Sequence, residues 1–231
     1  MRTGAQKGCM LLEPTITRVK ICCIASVEEA WMAIRHGACA VGLVSEMPSG
    51  PGVIPEQKIA EIATVLPPAV GSFLLTSKRD ASAIIAQQRR CGVNTVQVCD
   101  RLEVGAYEQL RASMPGVSIV QVVHVVGEDA VEGARQVAPY VNGILLDSGD
   151  PSLPRKELGG TGRTHNWAIS RQIVEQVGVP IFLAGGLNPD NVAEAIRVVR
   201  PYAVDVCTGV RTGGKLDEVK LAAFFEAVQR S

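Results

Sequence analysis

Two residues in this 231-residue chain stand where a side chain could move a proton. Cys22 lies at the end of one apolar run, and Asp147 immediately follows Ile144-Leu145-Leu146. A thiolate with a lowered pKa is a competent base, and a carboxylic acid with a pKa raised by burial can donate. Each also has a plainer reading. Free cysteine is among the most buried residue types, and a carboxylate just past a strand can cap the next turn. Lys20 alternates with Cys22 and so shares its strand face. An inward lysine needs a partner, and Asp205 is the obvious one, as a structural ion pair or as part of a site.

A second chemistry is anion binding by backbone N–H groups. Ala184-Gly185-Gly186-Leu187-Asn188 follows an apolar run, Cys207-Thr208-Gly209-Val210 follows another, and Gly159-Gly160-Thr161-Gly162 lies in a loop after a third. Glycine lets backbone approach an anion, and helix N-termini present unsatisfied donors. One such cluster is an ordinary turn. Three at consecutive strand ends predict a phosphate site built around Gly160, Gly162, Gly185, Gly186, Thr208 and Gly209. Pro189 suits the first position of a helix following directly.

Elements that could position these residues recur eight times. Apolar, β-branched-rich runs cover residues 18–23, 38–44, 69–76, 95–99, 117–123, 143–146, 180–184 and 203–207. They are too continuous to leave one face in water, as expected of parallel strands covered by helices. Amphipathic stretches follow at 27–36, 56–65, 81–91, 103–114, 129–138, 166–177, 189–199 and 217–229. Ser26 with Glu29 forms a capping-box pattern, and Gly37 is a stop signal. A doubly wound open sheet gives the same local alternation, but eight repeats favour an α/β fold closed as a (β/α)₈ barrel, a TIM barrel. Residues 18–231 are expected to form that single domain, with 1–17 as a short N-terminal extension. On closure, strands one and eight adjoin, which brings Lys20 to Asp205. Cys22 and Asp147 should then face one another across the barrel mouth, with Cys99-Asp100 and His124 at its edge.

Composition narrows the partners. Hydrophobic residues make up 47% and charged residues 20%, which supports a packed interior. Lys plus Arg and Asp plus Glu both number 23, so no basic excess invites nucleic acid or an anionic membrane. A small-molecule partner fits better. Seven cysteines without CxxC pairing read as reduced thiols in a cytoplasmic protein. No apolar run near the N-terminus exceeds Cys9–Leu12, so neither a signal peptide nor a membrane span is expected. No second histidine or carboxylate stands at ligand spacing, so no metal site is expected.

Read in order, these residues resemble the phosphoribosylanthranilate isomerase family, from about Arg18 to Gln229. Val19-Lys20-Ile21-Cys22 is similar to the family's strand-one signature, Val96-Gln97-Val98 to its strand four, and Leu145-Leu146-Asp147 to its strand six. Gly159-Gly160-Thr161-Gly162-Arg163-Thr164 followed by Trp167 resembles the family loop GGTGKTFDW. The run Leu183 to Val192 resembles its strand-seven phosphate loop, and Arg200 to Val206 with Gly209-Val210 completes the series. The resemblance implies a cofactor-free Amadori rearrangement of a phosphorylated sugar substrate in tryptophan biosynthesis. Asp147 would be the general acid, Cys22 the general base, and Asp205 would orient the anthranilate side.

Departures cluster where the anthranilate ring should bind. The resemblance implies an arginine for the substrate carboxylate in the strand-two loop, but residues 45–53 hold no basic residue and include Glu46. Arg155, Lys156 or Arg163 could supply that cation, and Arg163 is taken as a substrate-binding candidate. Strand four ends in Cys99-Asp100 where the family has His-Gly, and Cys23 stands where it has Gly. Two other readings are an isomerase for a different phosphorylated aminosugar or ketose, and a non-catalytic sugar-phosphate-binding barrel.

Overall fold

A computed structural model describes residues 16–231, so residues 1–15 of the expected N-terminal extension, Cys9 among them, lie outside the described residues. Eight parallel strands close into one barrel in chain order: β1 Arg18–Ile21, β2 Ala40–Val44, β3 Gly71–Thr76, β4 Thr95–Val98, β5 Ser118–His124, β6 Gly143–Asp147, β7 Ile181–Leu183 and β8 Ala203–Val206. Eight helices alternate with them: α1 Val27–Arg35, α2 Glu56–Thr64, α3 Ala81–Cys91, α4 Val104–Ser113, α5 Asp129–Val137, α6 Trp167–Gln176, α7 Val192–Val199 and α8 Glu218–Gln229. A two-stranded hairpin, β9 Arg211–Thr212 with β10 Lys215–Leu216, sits between β8 and α8.

Local sequence explains the joints. The Ser26 hydroxyl accepts from the Glu29 N–H at 3.2 Å, satisfying one free donor of the first turn of α1, while the Glu29 carboxylate accepts from the N–H of Ala25, the residue before the cap, at 3.0 Å. Asp80 caps α3 through the Ala83 N–H at 2.8 Å, and Asp217 caps α8. One expected boundary moves. The helix after strand seven begins at Val192, not Pro189, because the Asn188 side chain accepts from the Asp190 and Asn191 N–H groups and forms a turn first. Strand one also stops at Ile21, so Cys22 and Cys23 belong to the loop above it.

Two apolar layers result. Ile21, Leu43, Leu74, Val96, Ile144 and Val204 point outward and pack on helix residues such as Ile59, Ile84, Leu110 and Phe224. Ala40, Phe73, Val120, Phe182 and Ala203 fill the inside. The lower end is plugged by Phe73 edge-on to Phe182 (5.7 Å between centroids), with Tyr202 beyond it and the Arg18 guanidinium 4.4 Å over the Tyr202 ring. Only the upper end, at the strand C-termini, is left to open.

Candidate active site

The β1–β8 seam places the charged pair. Register opposes Lys20 to Asp205, and Lys20 Nζ lies 2.9 Å from Asp205 Oδ2 with the lysine fully buried. Burial pulls the Lys20 ammonium down, but Asp205 and the sulfur of Cys22 more than offset this, so it ends above its ordinary value. Asp205 is pushed up by burial and drawn back by Lys20. Its other oxygen, Oδ1, is buried without a hydrogen-bond partner, and so is Gln97 Oε1 on β4. Both residues border the same cavity and offer it acceptors in need of donors.

That cavity, about 70 Å³, closes the top of the barrel. Cys22, just past β1, and Asp147, the last residue of β6, both line it. The Cys23 thiol hydrogen-bonds Cys22 and, with the Lys20 charge, outweighs burial to hold Cys22 below its ordinary value. A Cβ on Gly42 of β2 would sit 2.8 Å from the Cys22 sulfur and 3.1 Å from Lys20 Nζ, so only glycine leaves these groups their place. Asp147 moves the other way. Burial raises it to about 6, although the Ser148 N–H donates to Oδ1 at 2.7 Å.

The three glycine clusters converge beside this cavity. Gly185 and Gly186 run at φ 84° and 63°, and neither amide donates a hydrogen bond among the described residues. Asn191 braces their loop by donating to the Gly186 carbonyl at 3.0 Å. A Cβ on Gly209 would fall 2.0 Å from the Leu187 carbonyl oxygen, so the loops after β7 and β8 touch through bare backbone. Gly186 meets the Arg163 backbone, and Gly162 faces the Thr208 hydroxyl. Loops after β6, β7 and β8 thus share one corner, the region where barrels hold phosphate.

Comparison with known proteins decides the family. Residues 19–227 match the family model described as N-(5'phosphoribosyl)anthranilate (PRA) isomerase. The chain belongs to the N-(5′-phosphoribosyl)anthranilate isomerase family. It is 37% identical over 209 residues to N-(5'-phosphoribosyl)anthranilate isomerase 2 of Methanosarcina mazei, covering 90% of this chain and 92% of that one. It is 36% identical to the Haloferax volcanii enzyme, with 93% and 94% covered. The structure of phosphoribosyl anthranilate isomerase from Thermotoga maritima superposes with a TM-score of 0.80 at 30% identity, covering 94% of this chain and 100% of that one. Another phosphoribosyl anthranilate isomerase, in complex with reduced 1-(o-carboxyphenylamino)-1-deoxyribulose 5-phosphate, gives 0.78 at 28%, with the same coverage. The chain is therefore an isomerase, an intramolecular oxidoreductase of the aldose–ketose kind.

Other expected positions in this isomerase fall differently. Arg163 does not reach the cavity; its side chain is 60% exposed and paired with Glu157. Lys156 Nζ is held by Asp100 at 2.6 Å, and Arg155 Nε donates to the Pro48 carbonyl at 2.9 Å. Cys99 lines the cavity, but Asp100 and His124, expected at the mouth, border instead a groove of about 630 Å³ between α4 and α5. That wider groove contains neither Cys22 nor Asp147, whereas the smaller cavity is lined by both. His124 Nε2 donates to the Cys99 carbonyl at 3.2 Å, and burial lowers its pKa. Sequence reasoning gave no role to Gln97, Cys23 or Cys207, which also line the site. Gln97 carried a signal, as an amide alternating with Thr95 on one face of a strand whose other face is valine.

A roof covers the cavity. Met47, Ser49, Gly50 and Pro51 come from the loop after β2, and Leu158, Gly159 and Gly160 from the loop after β6. The Ser49 hydroxyl donates to the Lys156 carbonyl at 2.7 Å, and Arg155 ties the same loops together. Ligand pockets usually enclose roughly 300–1,000 Å³, so these loops must part to admit a sugar phosphate.

Proposed function

We propose that this barrel converts N-(5′-phosphoribosyl)anthranilate to 1-(2-carboxyphenylamino)-1-deoxyribulose 5-phosphate, with Asp147 as acid and Cys22 as base. The observation that carries this reading is the opposite displacement of two groups in one cavity: Asp147 raised to about 6, Cys22 lowered. Environments that push two titratable groups apart assign acid and base. Asp147, protonated, gives its proton to the ribose ring oxygen; the C1–O bond breaks and the nitrogen lone pair forms a protonated Schiff base. The Cys22 thiolate then removes the C2 proton, and the electrons flow to nitrogen as an enolamine. Proton return to C1 with loss of the C2 hydroxyl proton leaves the ketone.

Other residues hold the substrate. Asp205 Oδ1, unpaired and facing the cavity, would accept from the anthranilate N–H. The Lys20 charge favours the ionised forms of Asp205 and of Cys22, against the burial that opposes both. Gly185, Gly186, Thr208 and Gly209 would hold the phosphate, with Gly160 and Gly162 closing that corner from the loop after β6. The carboxylate cation would come from that loop also. Arg155 already reaches the strand-two loop, and the Arg163 guanidinium is free to exchange Glu157 for the substrate. No helix among the described residues is long and apolar enough to cross a membrane, and we read the enzyme as cytoplasmic and without nucleic-acid partners.

Product identity tests the reading. Incubation with N-(5′-phosphoribosyl)anthranilate followed by borohydride should yield reduced 1-(o-carboxyphenylamino)-1-deoxyribulose 5-phosphate by mass. Absence of that compound, with inorganic phosphate still bound, would redirect the assignment to another aminosugar phosphate.

A further inference from the structure

Four of the six described cysteines, Cys22, Cys23, Cys99 and Cys207, line the cavity that holds the acid and the base. Cys23 is the unusual member. It sits at φ 61°, in the left-handed region that glycine adopts freely and cysteine only at a cost. Such strain persists where the surroundings over-determine it, and it clusters at functional sites. Here the surroundings are sulfur and backbone. The Cys23 thiol reaches the Pro51 carbonyl at 3.7 Å and contacts the thiols of both Cys207 and Cys22. The β1–β8 register, which ends at Ile21 opposite Val206, continues through the Cys22 N–H to the Val206 carbonyl at 2.8 Å. Residues 22 and 207 therefore leave the seam side by side, with Cys23 against both.

We propose that Cys23 and Cys207 are a reversible oxidation site beside the base, which a hydroperoxide converts to a disulfide that slows turnover. Cys207 is the more exposed of the two and would react first. Its thiolate attacks one peroxide oxygen, the O–O bond breaks, and the leaving oxygen takes a proton as alcohol or water. The resulting sulfenic acid is attacked at sulfur by Cys23, which gives up its proton; hydroxide leaves as water and the S–S bond forms. Two thiols are oxidised and one peroxide is reduced. A dithiol reverses the step. The consequence for catalysis rests on Cys22 being the base: once Cys23 is in a disulfide, its thiol no longer donates to the Cys22 sulfur, and the ionised form of the base loses that support.

The test is to titrate the purified enzyme with hydrogen peroxide, alkylate the remaining thiols, and map linked peptides by mass spectrometry while turnover is followed. A Cys23–Cys207 link should appear in step with a fall in turnover of about tenfold or more, the effect of roughly one pKa unit on the base, and dithiothreitol should reverse both. Cys207→Ser should show no link and no dithiothreitol-reversible loss. Inactivation that tracks sulfinic acid at Cys22 with the pair still reduced would overturn the proposal, as would a complete link with turnover unchanged. Failure of the underlying assignment reads differently: Cys22→Ala turning over at the wild-type rate would remove the base without altering the mapped link.

Discussion

Asp147 is buried at the end of β6 with the Ser148 N–H as its short backbone donor, and the native state favours its neutral form. Between the ordinary carboxylate range and about 6 the folded protein holds a proton that the unfolded chain releases, so stability falls as pH rises through that window. Two pKa units correspond to about 3 kcal/mol lost above it. Asp147→Asn, which never ionises, should therefore melt higher than wild type at pH 8 and near it at pH 4, while turnover falls by about 10²–10⁴. A lower melting temperature at pH 8 would contradict the buried-acid account. Cys22 faces Cys23, Lys20 and Asp205 and shares its cavity with Asp147, and the Cys23 donor is the largest influence lowering it. Cys23→Gly should move the limb of the kcat/KM profile that belongs to Cys22 to higher pH; an unmoved limb would deny Cys23 that part. The positions of Cys22, Asp147, Lys20 and Asp205 at the upper end of the barrel were legible in strand alternation and strand-end placement, while the parts proposed for Cys22 and Asp147 came from the family resemblance. Cys23 was not legible, since its role follows from a backbone angle and from a contact 184 positions away.

At the scale of elements, the proposed phosphate corner depends on loops that touch through backbone. Gly209→Ala would press a methyl group into the Leu187 carbonyl and should cost about 1–3 kcal/mol while raising KM more than it lowers kcat. Denaturant melts and steady-state kinetics together would check it, and an unchanged KM would place the phosphate elsewhere. The roof makes a separate prediction. Amide exchange in residues 47–52 and 156–160 should slow in both loops when the reduced product binds, because neither closes without the other. Eight strands and eight helices were readable because each strand is a short run rich in apolar residues and each helix carries caps or a period of its own. The turn before α7 was not, because Asn188 outcompetes Pro189 as the local organiser through side-chain bonds that spacing does not reveal. The tie between the loops after β2 and β6 joins residues 107 apart, beyond any local pattern.

The whole molecule is a ring whose first and last strands meet at Lys20 and Asp205, so the ion pair on the closing seam also borders the candidate site. Lys20→Met alone should cost about 3–5 kcal/mol by stranding a buried carboxylate, and Lys20→Met with Asp205→Leu should recover most of it, in urea unfolding. Equal loss in both would show that the pair is not what holds the seam. The measurement closest to the central claim is turnover of freshly made N-(5′-phosphoribosyl)anthranilate, followed by loss of anthranilate fluorescence, in wild type, Cys22→Ala and Asp147→Asn. The account predicts conversion by the wild type that both substitutions abolish while phosphate binding persists. Conversion that survives in either variant would contradict it.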